Sequence, residues 1–92
     1  IKVLEEESSV NRELVLVKVR ADAADRQSII AIANVFRGSI IDVGKDSLII
    51  ELTGQQSKLD AFVELLRGYE ILELARTGIT GLSRGAEDIR YL

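Results

Sequence analysis

Twice along this 92-residue chain the hydrophobic period changes in the same way, and each time the second period ends on Arg-Gly. The first unit opens with RELVLVKVR, Arg12 to Arg20, a strand-length run dense in β-branched residues. It passes into ADAADRQSIIAIANVFRG, where Ile29, Ile32, Ala33 and Phe36 recur at i, i+3, i+4 and i+7 and so share one helical face. Asp22 or Asp25 is placed to cap that helix, and Gly38 stands where a helix end favours a residue tolerant of positive φ. Two short apolar runs follow, SIIDV (Ser39 to Val43) and SLIIELT (Ser47 to Thr53), joined by Gly44-Lys45-Asp46, a hairpin signal. The second helical segment, QQSKLDAFVELLRG, repeats the spacing with Leu59, Phe62, Val63 and Leu66 and closes on Gly68. YEILELART, Tyr69 to Thr77, is the last strand.

The predicted order is β-α-β-β-α-β, the split βαβ arrangement of an α+β, ferredoxin-like domain. Right-handed crossovers then lay both helices on one face of a four-stranded antiparallel sheet. Alternation along a strand sends neighbouring side chains to opposite faces. In the first strand Val15, Val17 and Val19 form one set, and Leu14, Leu16, Lys18 and Arg20 the other. In the third, Leu48, Ile50 and Leu52 stand against Ser47, Ile49, Glu51 and Thr53. The purely aliphatic sets are the natural partners of the helices.

The second face keeps Leu14, Leu16 and Ile49 among its charges, more apolar than a water-facing sheet needs to be. Burying one such side chain stabilises by about 1.5–3 kcal/mol. The expectation is a docking face, covered by a second copy of the sheet in a homodimer or by a neighbouring domain. Lys18, Arg20 and Glu51 would set the register of that contact.

Composition narrows the chemistry. The chain has no Cys and no His, which removes thiol nucleophiles, His-based triads, zinc fingers and disulfides together. No carboxylate-rich loop has calcium spacing. The net charge is -3, and the two central strands lack the aromatic residues on which an RNA-binding sheet of this topology stacks bases. Nucleic acid is therefore not an expected partner. No apolar run approaches the ~20 residues that span a bilayer, and no signal peptide opens the chain, so a cytoplasmic or organelle-matrix setting without membrane contact is expected. Glu70 and Glu73, three apart on a strand, are expected to point to opposite faces, and Glu5-Glu6-Glu7 reads as solvated linker. No catalytic set emerges. The absence of methionine and the start at Ile1 suggest a fragment or a processed product.

ELARTGITGLSRG, Glu73 to Gly85, is the least ordinary stretch. Its glycines, arginines and hydroxyls suggest an anion loop, but it has neither the Gly-Lys-Ser/Thr of a Walker loop nor a Gly-x-Gly-x-x-Gly turn. The simpler reading is a strand end followed by a Gly-hinged tail whose Ile79 and Leu82 pack back on the body. An ACT-type sensor of amino acids or nucleotides is the alternative reading of the whole chain. Such domains commonly place a Gly-containing loop between the first strand and the first helix, and ADAADRQ has no glycine.

RELVLVKV, FRGSIIDV, TGQQSKLDAF and ELARTGITGLSRG, in that order and at these distances, resemble the C-terminal domain of the small, regulatory subunit of acetohydroxyacid synthase (acetolactate synthase). The resemblance implies a non-catalytic domain, without cofactor of its own, that binds and activates a large catalytic subunit using thiamine diphosphate, Mg²⁺ and FAD. That enzyme opens branched-chain amino acid biosynthesis, toward valine, leucine and isoleucine, and is subject to feedback inhibition. By the same resemblance residues 1–11 are the linker from a missing N-terminal ACT domain, 12–85 the C-terminal domain and 86–92 a tail. No valine-site residue can be carried over, because the ACT half is not in this sequence. The Gly-rich segment becomes a docking element, with Arg76 and Arg84 as polar anchors and the backbone around Thr77 and Gly78 free for close approach.

Overall fold

A computed structural model describes residues 8–86. The Glu5-Glu6-Glu7 run, most of the expected linker and the tail beyond Ala86 lie outside the described residues. The elements run β1 (Ser9–Arg20), α1 (Arg26–Val35), β2 (Ser39–Val43), β3 (Ser47–Gly54), α2 (Gln56–Leu66), β4 (Ile71–Arg76) and β5 (Thr80–Ser83). The sheet is antiparallel in the order β2-β3-β1-β4, with β5 also paired to β1. The predicted ferredoxin-like order is therefore present, with one strand more than expected.

The core lies between the sheet and both helices. Val15, Val17 and Val19 of β1 and Leu48, Ile50 and Leu52 of β3 are buried against Ile29 and Ala33 of α1 and Leu59, Phe62, Val63 and Leu66 of α2. These are the aliphatic sets that strand alternation and helical spacing select. Phe36 and Phe62 meet at a centroid distance of 5.3 Å and an interplanar angle of 59°, a favoured aromatic geometry.

The ends of α1 differ from expectation in detail. Asp25 occupies the N-cap without a side-chain hydrogen bond. Asp22 shapes the turn instead, its Oδ1 accepting from the amides of Ala24 and Asp25 at 3.0 Å each. At the other end the left-handed residue is Arg37, with φ 61°, not Gly38. Gly38 is needed for space, since a Cβ there would lie 3.1 Å from Ile50 Cγ2 and 3.3 Å from the Glu51 carbonyl oxygen.

The Gly-rich segment does not pack back as a tail. It forms β5, in the register Ser9↔Ser83, Val10↔Leu82, Asn11↔Gly81 and Arg12↔Thr80. This also explains why β1 begins at Ser9 and not at Arg12. β3 pairs with β1 only from Glu13 onward, so the β5 ribbon runs beyond the end of β3. Ile79 and Leu82 accordingly stay 56% and 74% exposed. Gly78, at φ 83°, lets the chain step from β4 to β5. Gly81 lets the strands approach, because a Cβ there would collide with the Asn11 side chain and lie 3.0 Å from the Val10 carbonyl oxygen.

Candidate interaction face

The face turned away from the helices is built around β1. Leu14 lies opposite Thr53, Leu16 between Glu51 and Ala75, and Lys18 between Ile49 and Glu73. The structure thus brings Leu14, Leu16, Lys18, Arg20, Ile49 and Glu51 to one surface. A depression on it is lined by Leu16, Lys18, Ile49, Glu73, Leu74 and Ala75. Leu16 is 37% exposed, although a leucine of the helix-facing set, Leu52, is fully buried. Val10 and Leu82, cross-strand neighbours, extend the apolar surface along β1.

Charges line one end of this face. Lys18 Nζ is 2.9 Å from Glu73 Oε1, and Arg20 Nε is 2.6 Å from Glu70 Oε2. Both carboxylates therefore meet cations of one face, contrary to the expectation that they point apart. The reason is a bulge. β4 pairs Glu73 with Lys18 but Ile71 with Val19, so Leu72 is an extra residue that reverses the phase of the strand. Both pairs are exposed, and such pairs contribute about 0–1 kcal/mol each.

The other side of β1 holds a tighter network. Glu13 shares the phase of Val15, Val17 and Val19, and it is buried. Arg76 Nη2 donates to Glu13 Oε1 at 2.6 Å, Arg76 Nε to Glu13 Oε2 at 3.2 Å, and Arg76 Nη1 to Asp60 Oδ1 on α2 at 2.8 Å. The amide of Gly78 donates to Glu13 Oε2 at 3.1 Å. The hydrogen bond from Arg76 holds the Glu13 carboxyl below its ordinary range, against the opposing effect of burial. The same bond, with that to Asp60, raises the Arg76 guanidinium further. Arg76, expected as a docking anchor, thus ties β4 to β1 and α2 and fixes where the chain turns at Gly78.

Thr77 continues that turn, its amide donating to the Leu14 carbonyl and its Oγ1 accepting from the Leu14 amide, each at 3.1 Å. Arg84 follows β5; its side chain is exposed, and its amide donates to the Ser8 carbonyl at 2.9 Å. The sequence reading overlooked Glu13, although a carboxylate in phase with three buried valines was itself a signal that a cation must come to meet it. It also overlooked Arg26, whose Nη2 lies 3.1, 2.8 and 2.7 Å from the carbonyl oxygens of Ala21, Gly44 and Lys45. That guanidinium braces the β1–α1 loop against the β2–β3 hairpin.

Among the described residues no group of three or more His, Cys, Asp or Glu side chains could hold a metal ion. No helix among them is long and apolar enough to cross a membrane.

Among the described residues, fold and face together define a ferredoxin-like α+β domain whose sheet is covered by helices on one side only. Residues 12–85 match the sequence profile of the family described as the small subunit of acetolactate synthase. A protein of Methanothermobacter thermautotrophicus described as a probable acetolactate synthase small subunit is 51% identical over 87 residues, 94% of this chain and 52% of that protein. The acetolactate synthase small subunit of Bacillus subtilis is 43% identical over 81 residues, 88% of this chain and 47% of its own length. The crystal structure of the small subunit from Thermotoga maritima superimposes with a TM-score of 0.82 at 45% identity, over 89% of this chain and 50% of that one. The chain belongs to the acetolactate synthase small-subunit family, and it spans about half the length of these relatives.

Proposed function

We propose that this chain serves as the C-terminal domain of a non-catalytic regulatory subunit, which binds the large catalytic subunit of acetolactate synthase and supports its assembly, activation and feedback regulation in the cytoplasm. The observation that carries this reading is the match over residues 12–85 to the small-subunit family, in a domain whose described residues leave one partly apolar sheet face uncovered. On that face Glu70 and Glu73 are each engaged by a cation, which suits a surface for contact better than one for proton transfer. Thiamine diphosphate, Mg²⁺ and FAD belong in this reading to the catalytic subunit. The open face is the contact through which the domain forms a homodimer.

The ACT-like sensor reading has less support. Its usual ligand loop, between β1 and α1, has its Ala21 carbonyl engaged by Arg26. Mixing the chain with a purified catalytic subunit tests the proposal, with gel filtration and acetolactate output as readouts. Co-elution together with a changed rate is expected. A chain that neither co-elutes nor alters the rate refutes the assembly role.

A further inference from the structure

We infer that the open face pairs with a second copy of itself in one register, with Arg12 of each chain against Glu51 of the other. The inference rests on the sheet-face homodimer proposed above and adds its geometry. It starts from charges that the described residues leave unmatched. On this face Lys18 is taken by Glu73 and Arg20 by Glu70. Glu51 is half-buried between Leu16 and Ser39, and among the described residues no cation pairs with it. Arg12 is exposed, and its Nη1 donates at 2.7 Å only to the neighbouring Asn11 carbonyl; no described carboxylate meets it.

Covering the face would strip water from Glu51, and a carboxylate desolvated without a partner is strongly unfavourable. The occupant must therefore bring a cation to Glu51 and, to be self-complementary, a carboxylate to Arg12. A second copy of this chain does both at once.

Symmetry fixes the register. A two-fold axis lying between two stacked sheets and crossing the strands reverses strand direction but keeps each strand over its own copy. Centred on the Leu14–Thr53 pair, it sets the level of Arg12 over the level of Leu16 and Glu51, twice. Arg12 then faces β1 of the other chain with Glu51 one strand to the side, about 4.8 Å away, across sheets about 10 Å apart. An arginine side chain spans that offset. The same centre sets the exposed Val10 and Leu82 at the level of Lys18 and Glu73, whose charges are already paired with each other. Among the described residues Arg84 is the other exposed cation near this ribbon. Bringing it to Glu51 would move the centre to the level of Arg12 and set that guanidinium against its own copy, which like-charge repulsion opposes. Asp42, opposite Ile49 on the outer strand β2, is exposed and stays solvated at the rim.

Charge reversal tests the pairing without relying on a loss alone. The chain and its R12E and E51R variants are compared by sedimentation equilibrium from 1 to 100 µM, with circular dichroism confirming that each is folded. The unmodified chain is expected to dimerise, and each variant to associate at least tenfold more weakly, because both symmetry-related contacts become repulsive. An equimolar mixture of the two variants is expected to recover a heterodimer within about threefold of the original affinity, since opposite charges meet again at both contacts. Variants that dimerise as the unmodified chain does, or a mixture that stays monomeric, overturn the Arg12–Glu51 register and leave the sheet-face dimer standing. An unmodified chain that is monomeric at 100 µM overturns the dimer and its register together.

Discussion

Replacing Phe62 by alanine tests whether α2 docks through the face its spacing assigns. Phe62 is fully buried and meets Phe36 at 5.3 Å, whereas Leu65, one turn along the same helix, is 52% exposed. Truncating a buried phenylalanine costs about 3–5 kcal/mol through lost transfer energy and the cavity left behind, of which the aromatic pair supplies about 0.5–1.5 kcal/mol. A chain of this length has a total stability of about 5–14 kcal/mol, so the loss is a large fraction of the whole. Leu65→Ala, removing a side chain already half in water, is expected to shift stability by about 0.5 kcal/mol or less. Urea unfolding followed by far-UV circular dichroism reads both. With a slope of about 1 kcal/mol/M for so small a domain, Phe62→Ala lowers the midpoint by about 3 M or more and Leu65→Ala by about 0.5 M or less. Both variants are compared at one protein concentration, because association would make the midpoints depend on it. Equal shifts for the two variants would falsify the assignment of the buried face of α2.

Acid stability reports on Glu13. Its carboxyl is held below its ordinary value of 4.5 in the folded chain, first by the hydrogen bond from Arg76, so the unfolded chain binds more protons. That contribution is complete above pH 4.5 and is lost as pH falls through the folded value. Glu13→Gln is expected to lower the urea midpoint at pH 7 and to flatten its decline below pH 4.5; parallel acid limbs would remove the Arg76 pair from the account. Gly78→Ala places a Cβ in open space at φ 83°, so it is expected to cost only the left-handed strain, about 1–2 kcal/mol in urea unfolding, and no change would refute the strain. Gly81→Ala instead collides with Asn11 across the β1–β5 pair. Hydrogen exchange should show protection lost over Ser9–Asn11 and kept over Val15–Val19; protection kept in both stretches would count against β5 as a paired strand.

The parts of the fold that sequence made legible are those where one period runs uninterrupted. Val15, Val17 and Val19 and the set Leu59, Phe62, Val63 and Leu66 were assigned to the core by spacing and are buried there. β5 was not legible, because Thr80-Gly81-Leu82-Ser83 carries a single apolar side chain and offers no alternation to read. It pairs because its backbone lies along the free edge of β1 past Arg76, and nothing in its own composition announces that edge. The same holds for Arg26, whose three carbonyl partners come from two loops that only the fold brings together.

The candidate site divides along the same line. On β1 and β3, which have neighbours on both sides, every residue assigned by alternation to the open face is found there. On the edge strands β2 and β4 the register slips, between Ile40 and Asp42 and at Leu72, and each slip inverts the faces beyond it. A bulge is tolerated where one side of a strand is unpaired, and it leaves no mark in the hydrophobic pattern. Glu70 and Glu73 were set apart by counting residues and are joined to Lys18 and Arg20 by that slip. The consequence bears on the charges themselves. Without the bulge only one of the two carboxylates would reach this face, leaving Lys18 or Arg20 free to neutralise a partner's carboxylate. With it both are occupied, which is why the proposed pairing falls to Arg12 and Glu51.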